Sequence, residues 1–240
     1  HIIVDDLVDS GRTRDRFAKQ YPDKPFFTLL DRPRDLPPEA QKAWVSFPWE
    51  RMTKPGEGEE TVQDNIVRIL QYIGEDPKRE GLLKTPERVV KSYKEIFSGY
   101  GQDPKALMTI FSEGACDEMV VQKGIEFTSF CEHHMLPFIG VAHIAYVPDG
   151  RIIGLSKLAR VLDMFAKRLQ VQERLTEQVT ECLNEYLKPK GSACVIEAAH
   201  TCMSCRGVMK QGSRTITSSL TGVFRENGLA RSEFLQLIRG

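Results

Sequence analysis

The chain has 240 residues, of which 41% are hydrophobic and 28% charged, and this length and composition suit a globular protein with a full hydrophobic core. Its 33 basic and 33 acidic side chains cancel, which argues against nucleic acid or a membrane surface as a partner. No apolar run reaches the ~20 residues that span a bilayer, and no signal-peptide pattern is present. We therefore expect a cytoplasmic protein, in which cysteines are more typically buried thiols or metal ligands than disulfides.

The first 50 residues predict part of a separate nucleotide-binding fold. Ile2 to Val4 predicts a short buried strand, and the acidic pair Asp5 and Asp6 follows it. The next run, Asp9 to Thr13, contains a glycine, and a glycine turn between a strand and a helix can cradle phosphate on backbone N–H groups.

Together with the run Ala43 to Glu50, these residues resemble the C-terminal part of a xanthine-guanine type I phosphoribosyltransferase. The resemblance implies a catalytic acid at Asp9 and purine stacking on Trp44. Because the strands needed for a complete sheet are missing, we expect residues 1–50 to be a remnant without activity of its own.

Residues 51–60 are polar and contain a proline and two glycines, which is typical of a linker. A domain boundary is therefore expected here, with the main domain at 61–240. In that domain, Thr61 is expected to cap a helix that ends at Gly74, and Thr85 with Pro86 to start a second helix that ends before Gly99. Helical spacing predicts the buried residues of each helix. They are Ile66, Ile69, Leu70 and Ile73 in the first, and Val89, Tyr93, Ile96 and Phe97 in the second.

The rest of the chain alternates between strand and helix patterns. Runs rich in β-branched and aromatic residues predict strands at Met119–Phe130, Gly140–Val147, Arg151–Gly154 (after a hairpin turn at 148–150), Ala193–Thr201 and Thr215–Phe224. Helical spacing predicts one helix capped by Ser156, a second that runs to Leu187, and a short terminal one with Phe234, Leu235 and Ile238. Strands in hairpins with two consecutive helices between them predict an α+β fold, with an antiparallel sheet and helices on one face.

Two short runs concentrate metal-binding side chains, namely Cys131-Glu132-His133-His134 and His200-Thr201-Cys202. A catalytic zinc has three protein ligands and an open position, and Cys131 with His134 could supply two of them. The third could be His200, Cys202 or Cys205. A closed structural site made of Cys131, His134, Cys202 and Cys205 is a second interpretation, and buried thiols without a metal are a third.

Residues 61–239 resemble GTP cyclohydrolase I. The resemblance rests on runs that follow one another in the family's order: Cys131 to His134, Ile153 to Arg160, Gln170 to Leu175, and His200 to Cys202 with Arg206-Gly207. It implies a bound Zn2+ held by Cys131, His134 and Cys202, with Cys205 outside the site. The implied reaction is hydrolysis of GTP at C8 of guanine with release of formate, which yields 7,8-dihydroneopterin triphosphate.

The resemblance also assigns roles to the other residues of these runs. His133 and His200 would transfer protons to N7 and the ribose oxygen. Glu173 would accept from N1–H and the 2-amino group of guanine, with Gln172 as a further candidate for that edge. The remaining residues implied in substrate binding, mainly at the triphosphate, are Leu155, Ser156, Lys157, Arg160, Arg206 and Arg88, the last from a neighbouring subunit.

In the same family, such chains of tunnelling-fold type form a homodecamer of two pentameric rings with active sites shared between subunits. A place in pterin and tetrahydrofolate biosynthesis, and so in one-carbon metabolism, is implied as well; folate, a reduced pterin cofactor and a 7-deazapurine stay open as end products. Two rival functions also stay open. One is a structural zinc module fused to a purine-salvage phosphoribosyltransferase fragment, and the other is the same fold with a changed substrate or a ring-opened product.

Overall fold

The computed structural model describes residues 3–8, 26–31, 61–114 and 116–239. Contacts divide the chain into two units, His1–Glu59 and Glu60–Gly240. No helix among the described residues is long and apolar enough to cross a membrane.

In the first unit, strand β1 (Ile3–Val8) pairs in parallel with β2 (Phe26–Asp31), with Ile3 opposite Phe26. The predicted strand is therefore longer than expected. Asp5 and Asp6 lie within it and do not follow it, as the sequence had suggested. The runs predicted to bind phosphate and purine, 9–13 and 43–50, lie outside the described residues.

The second unit begins with helix α1 (Val62–Tyr72), which is capped as predicted. The Thr61 hydroxyl accepts from the Asp64 N–H at 3.3 Å, and the Asp64 carboxylate accepts from the Thr61 N–H at 2.7 Å. The predicted buried stripe is only half correct. Ile66 and Leu70 are buried, whereas Ile69 is 54% and Ile73 63% exposed because no part of the described chain covers that side of the helix.

Helix α2 (Thr85–Ile96) begins at the predicted Thr85-Pro86 and packs against α1. None of its residues is fully buried, so its predicted buried stripe is only half-covered. A 3-10 turn at Ser98–Gly101 follows, and a Cβ on Gly99 would lie 2.0 Å from the Met164 carbonyl oxygen. Glycine is thus required here for close backbone approach.

Four short elements precede the main sheet or connect its strands. They are helix α3 (Pro104–Leu107), strand β3 (Ile110–Phe111), strand β6 (Ile152–Ile153) and the short helix α6 (Thr201–Ser204). β6 pairs with β3, so the strand predicted after the turn at 148–150 does not extend the main hairpin.

The main sheet contains β4 (Val120–Cys131), β5 (Pro137–Val147), β7 (Leu169–Gln170), β8 (Gly191–His200) and β9 (Thr215–Leu220). Their order across the sheet is β7-β4-β5-β8-β9. The four long strands are antiparallel, as predicted, but β7 pairs in parallel with the end of β4. The sheet is therefore mixed, since a two-residue strand between the two long helices returns to the edge of β4.

Helices α4 (Leu155–Ala166) and α5 (Gln172–Tyr186) cover one face of this sheet, as expected from their helical spacing. They bury alternate residues of the strands, such as Ile144 and Ile196, with helix residues Leu158, Leu162 and Leu183. Ser156 does not cap α4. The capping position is Gly154, two residues earlier, and Ser156 lies within the first turn.

The second face of the sheet is also partly covered, so helices do not lie on one face only. The strand predicted at Thr215–Phe224 ends at Leu220, and helices α7 (Val223–Glu226) and α8 (Gly228–Ile238) follow. Phe224 and Phe234 from these helices pack on Ala145, Ala193 and Val195. These alanines and the valine point away from α4 and α5, because side chains alternate along a strand.

Candidate metal centre and active site

The first cysteine-histidine run forms a tight turn at the end of β4. The Cys131 N–H donates to the Leu136 carbonyl at 2.9 Å, and the Cys131 carbonyl accepts from the Met135 N–H at 2.8 Å. Met135 has a positive φ of 54°, which closes the turn. The turn places His133 and His134 directly after the strand end, with Nδ1 of each ring 3.8 Å from Cys131 Sγ.

The second run lies beside the first because of the sheet register. Phe130 pairs with Pro137 across β4 and β5, and Phe138 pairs with His200 across β5 and β8. The end of β8 is thus brought to the end of β4, and Cys202 follows two residues later, in the first turn of α6. The Thr201 hydroxyl donates to the Pro137 carbonyl at 2.6 Å and ties α6 to the start of β5.

Cys131, His134 and Cys202 form a group whose possible ligand atoms all lie within 4.8 Å of one another. Cys131 Sγ and His134 Nδ1 are 3.8 Å apart. Atoms bound 2.0–2.3 Å from a tetrahedral zinc are separated by about 3.5–3.8 Å, so this spacing fits the ion with little movement. Cys205 is exposed and is not in this group.

The surroundings of this group disfavour ionisation of its thiols. Burial raises the pKa of the Cys202 thiol, and Cys131 beside it raises that pKa further. Two neighbouring thiols of which one is buried resist ionisation, and a metal ion supplies the positive charge that stabilises both thiolates.

Two further side chains adjoin the group. His133 Nδ1 lies 3.8 Å from Cys131 Sγ, and its side chain is 64% exposed. Arg206 Nη1 lies 2.9 Å from His134 Nε2. Because a guanidinium only donates, Nε2 of neutral His134 accepts in this arrangement and Nδ1 carries the proton.

His200 is held much more firmly than His133. Its ring stacks on Phe138 with centroids 4.6 Å apart and an interplanar angle of 9°, and its Nε2 lies 2.7 Å from Gln172 Oε1. Partial burial lowers the pKa of His200, and the nearby Glu173 carboxylate opposes this change with the smaller effect. Glu173 itself lies exposed in the first turn of α5.

Gln172 was predicted to contact guanine, but the structure buries it to 1% exposure. Its Nε2 donates to the carbonyls of Ile196 at 3.1 Å and Thr215 at 3.0 Å, and lies 3.1 Å from Thr217 Oγ1. Both ends of the amide are thus engaged by protein groups. The geometry therefore argues against a guanine contact for Gln172.

Sequence reasoning missed the side chains that hold the first turn. Arg174 pairs with Glu132 and donates from Nε to Gln170 Oε1 at 3.2 Å, while the Glu132 N–H donates to the Gln170 carbonyl at 3.0 Å. No local pattern indicated this arrangement, because Gln170 lies in β7 and Arg174 in α5.

The residues predicted to bind the triphosphate lie at three places, one of which is Arg206 beside His134. Leu155, Ser156 and Arg160 are exposed and Lys157 is half-buried on the first turns of α4, whereas Arg88 is exposed on α2. Among the described residues, no carboxylate forms an ion pair with these three cations. They are therefore available to an anionic ligand, although no described contact joins α2 to the metal group.

Comparison with known proteins addresses the second unit. Residues 62–239 match the GTP cyclohydrolase I family. The chain belongs to the GTP cyclohydrolase I family. It is an enzyme of that family, as the resemblance in the four motif runs had predicted.

Individual members of the GTP cyclohydrolase I family are similar over nearly their whole length. GTP cyclohydrolase 1 of Wolinella succinogenes is 52% identical over 179 residues, which cover 74% of this chain and 96% of that protein. GTP cyclohydrolase 1 of Chlorobium phaeovibrioides is 53% identical over 187 residues, covering 77% and 83%. A solved structure of the archaeosine synthase QueF-Like in the apo form aligns with 43% of this chain and covers 93% of its own chain. Its TM-score is 0.37 and its sequence identity 14%, which is too distant to support an argument.

The family match begins at residue 62 and gives no support to the phosphoribosyltransferase resemblance of residues 1–50. That resemblance, and the division into a fragment, a linker at 51–60 and a catalytic domain, stay predictions. The candidate site residues of the cyclohydrolase resemblance, from Arg88 to Arg206, all lie within the matched range.

Proposed function

We propose that this chain hydrolyses GTP at C8 of guanine and releases formate, giving 7,8-dihydroneopterin triphosphate. The observation that carries the proposal is the meeting of Cys131, His134 and Cys202 within 4.8 Å, beside two histidines that are not in the group. Membership of the GTP cyclohydrolase I family supports GTP as the substrate.

Zn2+ is the metal that these residues suit best. Two thiolates and an imidazole match its borderline softness, and three ligands leave the open position typical of catalytic sites. Zinc bound there supplies the Lewis acidity that activates water near neutral pH. If His134 held the metal through Nδ1, the ring proton would move to Nε2, which would then no longer accept from Arg206, and the guanidinium would be available to the substrate.

His133 and His200 are proposed to move protons at the substrate. Imidazole titrates near working pH, and both rings adjoin the metal group without belonging to it. His133 is exposed and can follow the purine as its five-membered ring opens, whereas His200 is fixed by Phe138 and Gln172.

Glu173 is proposed to select guanine. Its carboxylate lies exposed beside His200, close enough for its charge to affect that ring. An ionised carboxylate only accepts, so it matches the paired N1–H and 2-amino donors of guanine and rejects adenine, whose N1 is an acceptor.

The triphosphate is proposed to lie against the start of α4. Leu155, Ser156 and Lys157 occupy its first turn, where the positive end of the helix dipole favours an anion, and Arg160 lies one turn further. Arg206 and, from a neighbouring subunit, Arg88 add charge. Edge strand β9 exposes Ile216 to 66%, which fits continuation of the sheet into another chain and the proposed decameric ring.

The proposal is tested by incubating the full chain with GTP and following formate release and pterin fluorescence. We expect turnover in zinc-loaded protein, loss after chelation, and recovery when zinc is restored. Zinc-loaded protein that leaves GTP unchanged, or turnover that survives complete zinc removal, contradicts the proposal. A pterin product would place the enzyme at the entry to pterin and folate biosynthesis.

A further inference from the structure

The hydrogen bonds around Gln172 fix which end of its amide faces His200. Two backbone carbonyl oxygens, those of Ile196 and Thr215, lie 3.1 and 3.0 Å from one end. Carbonyl oxygens only accept, so this end must be the NH2 group. The amide oxygen therefore faces His200, and the reversed orientation would set three acceptors against one another.

This orientation determines the proton position on the His200 ring. The Gln172 oxygen only accepts, and it lies 2.7 Å from His200 Nε2, so Nε2 must donate. A neutral imidazole carries one proton, which leaves the lone pair on Nδ1. The stacking on Phe138, with rings 9° from parallel, fixes the ring plane as well.

Gln172 is the first member of a row of polar contacts between α5 and β9, which we call the polar seam. On α5 it consists of Gln172, Thr176, Thr180 and Asn184, and on the other side of Thr217, Ser219 and Thr221. Thr176 bonds to Thr217 at 2.6 Å, and Thr180 to Ser219 at 2.7 Å. Further along, Asn184 accepts from Thr221 at 3.2 Å. The seam ties α5 to β9 along its length, so the Gln172 side chain has little freedom to rotate.

We propose that Gln172 is a positioning residue that holds neutral His200 as its Nε2–H tautomer, leaving Nδ1 as the nitrogen that bonds to substrate. The inference rests on the proposed function for its effect on turnover. It removes Gln172 from the guanine edge, which Glu173 then serves alone. It also assigns the atom of His200 through which a proton reaches or leaves the substrate.

Kinetics of Gln172→Met test this role against a guanine contact. Methionine keeps the length of the side chain and removes both polar ends, so we expect kcat to fall by about tenfold or more, within the ~10²–10⁴-fold contribution of acid–base groups. KM for GTP should change by less than about threefold. A guanine contact would instead raise KM while leaving kcat nearly unchanged, and that result overturns the proposal.

Thr180→Val is the matched control for loss of the seam. It removes a buried hydroxyl on the same helix that touches neither Gln172 nor His200. Thermal unfolding should show a similar destabilisation in both variants, but kcat should fall only in Gln172→Met. An equal fall in both variants means that Gln172 acts through stability alone and overturns the positioning role.

A double-mutant cycle with His200→Ala gives a second criterion. If Gln172 acts through His200, adding Gln172→Met to His200→Ala should lower the residual turnover by less than about twofold. A fall as large as in the wild-type background would show that Gln172 acts elsewhere.

The ¹⁵N NMR spectrum of histidine-labelled wild-type protein tests the tautomer without any need for turnover or for a stable variant. Above the His200 pKa we expect the His200 signals, identified by their loss in His200→Ala, to show a protonated Nε2 and an unprotonated Nδ1. The opposite tautomer overturns the inference even if GTP is turned over. The expected tautomer in a protein that leaves GTP unchanged would contradict only the proposed function.

Discussion

The ends of β4 and β8 both bring a histidine to the metal group, but they hold it differently. After β4, the His133 side chain is 64% exposed, and among the described residues it contacts Cys131 Sγ, the Glu132 carboxylate at 3.9 Å and the edge of the His134 ring. At the end of β8, His200 is stacked on Phe138 and bonded to buried Gln172. One ring can follow a substrate whose geometry changes, and the other holds one proton position. The site therefore combines a movable and a fixed imidazole around one group of ligands.

The largest expected effect comes from removing a proposed zinc ligand, because in the proposed reaction both histidines act beside the metal. Cys202→Ala should abolish zinc binding and reduce formate release to background, since two ligands from one turn do not retain a catalytic zinc. Zinc content by atomic absorption and turnover of GTP measure the effect. Cys205→Ala is the matched control, because Cys205 is outside the group, and it should keep both. Loss of zinc in both variants would indicate the closed structural site, and loss in Cys205→Ala alone would make Cys205 the third ligand; either result contradicts the expected group.

The two histidines themselves give the next largest effect. His133→Ala and His200→Ala should each lower kcat by roughly 10²–10⁴-fold while zinc content stays at the wild-type level. Only His200→Ala should also lower the melting temperature, because it removes a stacked ring and leaves the buried Gln172 oxygen without its partner. Loss of zinc in His133→Ala would mean that His133, and not His134, is the ligand.

Glu173→Gln is expected to have a smaller effect, on binding. A hydrogen bond to a charged group contributes about 1.5–3 kcal/mol, so KM for GTP should rise by roughly 10- to 100-fold. Zinc content and melting temperature should stay unchanged, because Glu173 is exposed. Competition by ATP, measured as an inhibition constant, should become stronger relative to GTP. An unchanged KM would place guanine recognition elsewhere.

The two short runs and the family resemblance predicted the members of the metal group, but not the strand pairing that brings the runs together. It depends on β5 beginning at Pro137, three residues before the predicted start, so that Phe138 pairs with His200. Proline and the adjacent turn obscured this extension. The choice of Cys202 over Cys205 followed from the family resemblance and not from spacing.

Gln172 and α1 show why other features were missed. Residues 172, 176, 180 and 184 form a polar stripe on α5, and a polar stripe on a helix is normally exposed. Here it is buried because β9 offers a matching row of hydroxyls, a tertiary match that no local pattern reveals. In α1 the error is reversed, since apolar Ile69 and Ile73 were expected to be buried and remain exposed on the single chain.

The smallest predicted effect concerns the support of the turn after β4. Arg174→Met removes the ion pair with Glu132 and the bond to Gln170 Oε1. Because the pair is 42% and 34% exposed, its loss should cost at most about 1 kcal/mol of stability, and added salt should weaken it in the wild type. The turn carries His133 and His134, so zinc affinity, measured by competition with a chelator, should fall a few-fold, while the His200 tautomer stays unchanged.

Arg214→Met is the control, since it breaks a similarly exposed pair with Glu197 in the same sheet. Equal losses of zinc affinity in both variants would mean that Arg174 gives the turn no specific support. The turn with His133 and the end of β8 with His200 would then not be held independently.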